Sequence, residues 1–114
     1  MDVERGELQR ALDLAARVKE PDVMRARALI LRGSIASLRG QTDAARQALS
    51  EALAAGSKQL RVPERLTLLV SLTEQHLSAR DAAAASRTID QLAAWTPQSL
   101  AVHFLRARVA MLKN

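Results

Sequence analysis

The stretch LILRGSIASLRGQTDAARQALSEAL, residues 29–53, contains the pattern that decides the fold of this chain. It predicts two helices joined by a tight turn over residues 39–42, because Gly40 adopts at low cost the positive φ that ends many helices. Small residues stand where the two helices would touch, and such residues let helix axes approach to about 8 Å. The stretch therefore predicts a closely packed, antiparallel helix pair.

Helix signals of the same kind occur on both sides of this pair. Apolar residues recur at spacings of three and four, which is the period of an amphipathic helix. Pro63 suits the first turn of a helix, Asp81 can cap the next one, and Thr96 with Pro97 form an N-cap and N1 pair. The predicted helices cover residues 3–20, 22–39, 42–55, 63–79, 82–95 and 97 to near the C-terminus. We expect an all-α, antiparallel stack of about six helices, since no strand pattern competes.

Composition excludes several classes of protein. The 114 residues suffice for one domain, and the absence of cysteine excludes disulfides and cysteine zinc sites. The sequence contains no apolar run near the ~20 residues that a membrane span needs, and no signal-peptide core. The net charge of +5 is spread along the chain, without the basic stripe and aromatic residues typical of nucleic-acid binders. The charge pattern therefore favours a solvated surface over nucleic-acid binding.

Internal repetition identifies a family. Similar residues recur 34 positions apart, as Gly6 and Gly40, Ala11 and Ala45, and Val18 and Ala52. A unit starting at Ala26 has a regular set of large and small positions, namely Leu29, Gly33, Gly40, Ala45, Leu49 and Ala52. With these residues the chain resembles the tetratricopeptide repeat family, whose unit is a helix–turn–helix of 34 residues. The Ala- and Arg-rich composition is typical of a GC-rich bacterial source, and degenerate bacterial repeats of this style resemble segments of exopolysaccharide-secretion machinery and of large transcriptional regulators.

The second unit is more degenerate than the first. It starts at Leu66 and keeps the large and small positions Leu69, Leu72, Ala85, Ile89 and the closing Pro97. It has Thr73 where glycine or alanine is usual, and Arg80 at the turn. A third unit would begin at Leu100, with Ala107 at the helix crossing. The resemblance thus divides one domain into a half repeat (1–21), two repeats (22–57 and 63–96) and a half repeat (97–114).

Both ends of this array lack the polar face that usually covers terminal repeats. The last helix is apolar almost all round, which is typical of a helix buried on both sides. We therefore expect a segment of a longer protein; alternatively, the chain associates with itself by stacking repeats end to end. The residues expected to carry self-association, which would make the chain a homo-oligomer, are Val102, Leu105, Val109 and Leu112.

Catalysis is not expected. His76 and His103 fall at positions where the family has large packed residues, so both imidazoles are predicted to belong to the core or its boundary. The sequence contains none of the nucleophile, metal or phosphate-binding motifs GxSxG, HExxH, P-loop or GxGxxG. No cofactor, metal site or catalytic residue is predicted, and the compartment, cytoplasmic or periplasmic, stays open.

The resemblance implies binding of a protein or peptide partner in a concave groove, lined by the first helix of each unit. Carried over by position, the groove residues are Arg27, Ile30, Ser34, Ser37, Leu38, Val70, Glu74, Leu77, Phe104 and Arg108. The Lys/Asn cluster with which family members clamp a peptide carboxyl terminus is missing. An apolar groove with Arg27 and Arg108 at its margin suits an amphipathic or apolar segment that carries acidic residues. The predicted function is therefore that of a non-catalytic interaction scaffold.

Overall fold

The computed structural model of the chain describes residues 6, 7, 9, 10 and 21–113. Within these residues the chain is all-α and has no strand, as predicted. The helices are α1 (Pro21–Leu38), α2 (Thr42–Gly56), α3 (Val62–Ser78), α4 (Ala82–Trp95) and α5 (Leu100–Lys113), with a 3₁₀ turn at Ser57–Gln59. Residues 6, 7, 9 and 10 are helical, and the remainder of the helix predicted over residues 3–20 lies outside the described residues.

The first four of these helices form two antiparallel hairpins. Helix α1 packs along α2, and α3 packs along α4, each pair being joined by a three-residue turn. Helix α3 also packs on α2, and α5 packs on α4 and α3, so the hairpins stack into an elongated molecule of 52 × 28 × 20 Å. The predicted bounds of the helices from α1 to α4 are correct to within about one residue.

The predicted start of the last helix is wrong. Thr96 ends α4 instead of capping α5, because its N–H donates to the carbonyl oxygen of Leu92 at 3.0 Å. Its hydroxyl donates to the same oxygen at 3.3 Å. Helix α5 begins at Leu100 and is capped by Ser99, whose Oγ accepts from the N–H of Ala101 at 3.1 Å. The threonine therefore satisfies the carboxyl end of one helix, and a serine three residues later starts the next.

Both hairpin turns use the same backbone motif. In the first turn, Gly40 has a φ of 72°, and the N–H of Gln41 donates to the carbonyl oxygen of Ala36 at 2.9 Å. In the second turn, Arg80 has a φ of 59°, and the N–H of Asp81 donates to the carbonyl oxygen of His76 at 2.9 Å. These are Schellman caps, in which a residue in the left-handed region lets the chain satisfy the last helical carbonyls. Glycine adopts this conformation freely, whereas arginine does so under strain.

The two hairpins are related by a shift of 40 residues. Equivalent buried positions are Leu29 and Leu69, Gly33 and Thr73, Ala45 and Ala85, Leu49 and Ile89, and Ala52 and Leu92. This is the register predicted for the unit starting at Leu66. The extra six residues relative to a 34-residue repeat fall in the segment with the 3₁₀ turn, where Leu60 is buried in the core. Leu60 was not expected to be a core residue, because it lies between the helices predicted over residues 42–55 and 63–79.

Two apolar clusters form the core. The first lies between α1, α2 and α3 and is built from Val23, Ala26, Leu29, Leu49, Ala52, Leu60, Leu68 and Leu72. The second lies between α3, α4 and α5 and is built from Leu69, Leu77, Ala85, Ile89, Leu92, Val102, Leu105 and Val109. Helix α3 contributes to both clusters, so the two hairpins and α5 share one continuous packing arrangement.

Two residues of the third unit are exposed, namely Ala107, which was predicted at the helix crossing, and His103, which was predicted to be packed. The stripe of α5 that faces α3 and α4 consists of Val102, Leu105 and Val109, of which Leu105 is 2% exposed. Because α5 is apolar almost all round, its own pattern does not say which face turns inward. The inward face of α5 is set by the surface of the second hairpin, against which α5 packs.

The helix crossings of the two hairpins are filled in different ways. A Cβ on Gly33 would lie 2.7 Å from Cγ of the fully buried Leu49, so the leucine occupies the space that a side chain on α1 would need. In the second hairpin the crossing holds two hydroxyls, those of Thr73 and Thr88, which are hydrogen-bonded at 2.7 Å. The hydroxyl of Thr73 also bonds the carbonyl oxygen of Leu69 at 2.7 Å, so these buried polar groups are satisfied.

Substituting Gly33→Ala tests the close approach at the first crossing. Although alanine has the higher helix propensity, we expect a loss of about 1 kcal/mol in the free energy of unfolding, because the added methyl overpacks the core. The measurement is urea denaturation followed by circular dichroism. In a Leu49→Ala background the same substitution should be neutral or stabilising, since the clash is gone. Equal losses in both backgrounds would contradict this account of the crossing.

Substituting Arg80→Gly tests the strain at the second turn. We expect a gain of about 1 kcal/mol in the free energy of unfolding, because glycine adopts a φ near 59° without steric cost. In a chain of this length the gain corresponds to a rise of roughly 4 °C in Tm. The matched control is Gly40→Arg, which should lower Tm by a similar amount. A Tm that stays the same or falls in the Arg80→Gly variant would show that the turn is not strained.

Candidate functional site

A groove runs between α1 and α3. It consists of two adjoining cavities of about 430 Å³ and about 260 Å³ that share Ser34. The first cavity is lined by Arg27, Ile30, Leu31, Ser34, Pro63, Glu64 and Thr67. The second is lined by Gly33, Ser34, Ser37, Leu38, Leu49, Ser71, Glu74 and Gln75. We call these two cavities together the α1–α3 groove.

An ion pair closes one end of the α1–α3 groove. The guanidinium of Arg27 donates to both carboxylate oxygens of Glu64, at 3.0 and 3.1 Å. This hydrogen bonding holds the pKa of Glu64 below its usual value. Because the pair joins α1 to α3, it fixes the width of the groove at this end. Arg27, predicted at the margin of the groove, is therefore already paired with Glu64 within the fold.

A second polar contact crosses the groove floor. The side-chain amide of Gln75 on α3 donates to the hydroxyl of Ser37 on α1 at 2.8 Å. Gln75 is buried, and Glu74 beside it is exposed and lines the groove. Glu74 has no ion-pair partner within 4.0 Å among the described residues. The groove floor thus carries one acidic group that is open to a ligand.

Exposed apolar side chains follow the rim of the groove on α1. Leu31 is 62% exposed and Leu38 is 89% exposed, and Ile35 lies between them along the helix and is also exposed. Their spacings of four and three place them on one face of α1. Two of the three, Leu31 and Leu38, line the groove cavities. Cavities and rim together form a mainly apolar surface along α1.

A third cavity, of about 290 Å³, lies where the carboxyl ends of α3 and α5 meet. It is lined by Leu77, Arg80, Arg108, Met111 and Leu112, and we call it the C-terminal pocket. Leu77 is buried, Leu112 is half-buried and Met111 is 76% exposed. The guanidinium of Arg108 also lies 5.8 Å from the centre of the Phe104 ring. This pocket combines an aliphatic floor with two cationic groups.

The predicted groove residues are largely gathered at these cavities. Six of them line the α1–α3 groove, namely Arg27, Ile30, Ser34, Ser37, Leu38 and Glu74. Leu77 and Arg108 line the C-terminal pocket, although Leu77 is buried and contributes only to its floor. Val70 is half-buried and packs against the second core cluster instead, and Phe104 is exposed outside both cavities. The lining residues that were not predicted include Leu31, Glu64 and Arg80. The spacing of Leu31 with Ile35 and Leu38 is a sequence signal that could have identified Leu31.

Three of the four residues predicted to carry self-association are not available for it. Val102, Leu105 and Val109 are buried in the second core cluster, and Leu112 is half-buried against it. They face α3 and α4, so they hold α5 onto its own chain. The large exposed apolar side chains of α5 are different ones, Leu100, Phe104 and Met111.

A polar network links the first hairpin to the turn of the second. Nε of Arg46 donates to Nδ1 of His76 at 3.0 Å, and Nη2 of Arg46 donates to Oδ2 of Asp81 at 2.7 Å. The other oxygen of Asp81 accepts from the N–H of Ala84 at 3.0 Å, which confirms Asp81 as the N-cap of α4. Burial and the neighbouring guanidinium lower the pKa of His76, as its role as an acceptor requires. His76 is buried, as predicted, and its imidazole is occupied by this structural contact.

The described residues contain neither a metal-binding cluster nor a membrane-spanning helix. No group of three or more His, Cys, Asp and Glu side chains is placed to hold a metal ion there. No helix in that part of the chain is long and apolar enough to cross a membrane.

Comparison of the chain with models of protein families, with curated proteins and with solved structures gave no match. The groove and the pocket are therefore the features that indicate what this chain does.

The network around His76 makes stability depend on pH. In the unfolded chain a histidine binds its proton near pH 6.5, whereas the pKa of His76 in the folded chain is lower. Below about pH 6.5 the unfolded state therefore binds more protons, so the free energy of unfolding falls as the pH drops toward the folded pKa. Asp81 and Glu64 have pKa values below the usual range of carboxyl groups, so the stability that they contribute is lost only at more acidic pH. Urea titrations at pH values between about 5 and 8 therefore measure the contribution of His76 to the free energy of unfolding.

The control for this pH dependence uses both histidines. His76→Gln keeps an acceptor for Arg46 but cannot titrate, so we expect the decline in stability below about pH 6.5 to flatten. His103→Gln, at an exposed position on α5, should leave the decline unchanged. A decline that persists in the His76→Gln variant would show that another group is responsible.

Proposed function

We propose that this chain is a non-catalytic scaffold and that its α1–α3 groove binds an apolar or amphipathic segment of a partner protein. The observation that carries the proposal is the combination of a cavity of about 430 Å³ with exposed leucines along the same helix. Single exposed apolar residues are common on soluble proteins, but a stripe of them beside a cavity is typical of a binding surface. A segment that covered Leu31 and Leu38 would remove both from water, which favours binding.

The groove is suited to binding because its shape is held by contacts on both of its helices. The Arg27–Glu64 pair and the Ser37–Gln75 hydrogen bond connect α1 to α3 at two separate points. A groove that exists before the ligand arrives avoids part of the ordering cost of binding. The same contacts favour a role without catalysis, since these polar groups already have partners within the fold.

The hairpins are consistent with degenerate tetratricopeptide-type repeats. Support comes from the small residue Gly33 at the helix crossing and from a left-handed residue at each turn, Gly40 and Arg80. The equivalent positions of the two hairpins lie 40 residues apart, and six of these residues are accounted for by the segment before α3. In such arrays the first helices of successive hairpins, here α1 and α3, form the binding groove.

Substituting Ser34→Arg tests this proposal. Ser34 is exposed and shared by both groove cavities, so an arginine there should obstruct the groove without disturbing the core. The probe is a phage-displayed library of random peptides, selected on the immobilised wild-type chain. We expect enriched peptides with several apolar residues whose binding weakens at least about tenfold on the Ser34→Arg variant, a change of about 1.4 kcal/mol.

The matched control is Ser50→Arg, the same change at an exposed position on α2 outside both cavities. It should leave the binding of the selected peptides unchanged. Peptides that bind both variants as well as the wild type would place their site elsewhere and contradict the proposal. A selection that enriches no peptide at all would also count against it.

A further inference from the structure

We infer that the C-terminal pocket binds an acidic side chain next to an aliphatic residue within the partner segment. This inference rests on the proposed function and adds the chemistry of the partner at one end of the groove. The pocket is lined by two arginines, Arg80 and Arg108, together with Leu77, Met111 and Leu112.

The two guanidinium groups are open to an anionic ligand. Among the described residues neither Arg80 nor Arg108 has an acidic group within 4.0 Å. Arg46 and Arg106, by contrast, have carboxylate partners, Asp81 at 2.7 Å and Asp90 at 3.6 Å. Two unpaired cations beside one cavity disfavour a cationic or neutral ligand and favour a carboxylate, which can accept charge-assisted hydrogen bonds from both.

The position of Arg80 supports a role that is not structural. It stands at the turn in the left-handed conformation, with a φ of 59°, where the first hairpin has Gly40. Arginine there costs stability relative to glycine. The hydrogen bonds of the turn come from backbone groups that glycine also possesses, so the turn itself does not require the side chain. What the arginine adds is a cationic side chain among the residues that line the C-terminal pocket.

The apolar residues of the pocket favour a ligand that carries an apolar group beside its carboxylate. Met111 is 76% exposed, and it lies in the cavity with the half-buried Leu112 and the buried Leu77. An aliphatic side chain placed on this floor would remove apolar surface from water on both partners. An aliphatic residue with an aspartate or glutamate as its neighbour can contact both the arginines and the apolar residues of the pocket.

The pocket lies in line with the α1–α3 groove along α3. Glu74, on the groove floor, precedes Leu77, on the pocket floor, by three residues or about one helical turn. A segment bound in the groove can therefore continue into the pocket. Since Glu74 is acidic and the pocket is basic, the complementary segment carries a basic residue opposite Glu74 and an acidic residue opposite Arg80 and Arg108. This order of charges sets the direction in which the segment lies.

The test compares two probes that differ only in charge. Acetyl-Leu-Asp-Leu-amide and acetyl-Leu-Asn-Leu-amide are titrated into the full chain labelled with ¹⁵N, and the shifts of the backbone and arginine Nε–H signals are followed by NMR. We expect the aspartate probe to shift signals of Leu77, Arg80, Arg108 and Leu112. The asparagine probe should bind at least about tenfold more weakly, because it offers no charge to the guanidinium groups.

Three variants identify the groups that bind. Arg108→Gln and Arg80→Gly should each weaken the aspartate probe about tenfold, and Arg80→Gly should do so although it removes the strain at the turn. A loss of binding in a more stable protein cannot result from misfolding. The matched control is Arg106→Gln, which removes the same charge from an exposed arginine of α5 that lies outside the pocket. It should leave the affinity unchanged.

Several results would overturn the inference. They are equal affinities for the two probes, an equal loss in the Arg106→Gln variant, or no binding of either probe at millimolar concentration. Tighter binding of octanoate than of the peptide would identify a fatty acid as the occupant and would also overturn it. The proposed function is tested separately, since Ser34-dependent binding of selected peptides can persist when the pocket shows no preference for aspartate.

Discussion

Helix α3 is buried on two sides, and the rest of the structure depends on this double packing. Leu68 and Leu72 fill the first core cluster, whereas Leu69 and Leu77 fill the second. A hairpin of two helices covers only part of its apolar surface, so the hairpins have to stack for a core to form. Because α3 is the helix that both clusters share, its position sets where α1 lies on one side and α5 on the other.

Polar contacts complement this apolar packing at the places where the first hairpin meets α3. Arg27 pairs with Glu64 at the start of α3, and Ser37 bonds Gln75 near its end. Arg46 reaches from α2 to the turn that follows α3. Apolar contacts are non-directional, whereas these hydrogen bonds require defined distances and angles. They therefore fix the relative position of α1 and α3, which is the geometry of the groove.

The groove and the pocket have opposite electrostatic character, although both are largely apolar. In the groove the one arginine is already paired, and the acidic Glu74 has no partner within 4.0 Å among the described residues. In the pocket both charged groups are arginines. The positive net charge of the chain does not reveal this arrangement, because pairing within the fold decides which charges remain open to a ligand.

The sequence by itself determined the helices and the turns, because these depend on neighbours along the chain. Gly40 takes the left-handed φ and Asp81 caps α4 through contacts within a few residues, so local chemistry predicted both. The resemblance to the tetratricopeptide repeat also placed Gly33 at the helix crossing and six of its expected groove residues where the cavities on α1 and α3 lie. Only the tertiary structure decided that Val102, Leu105 and Val109 turn inward on α5 and that Glu64 neutralises Arg27. A helix that is apolar almost all round has no preferred face of its own, and an ion pair across 37 residues exists only after the hairpins have stacked.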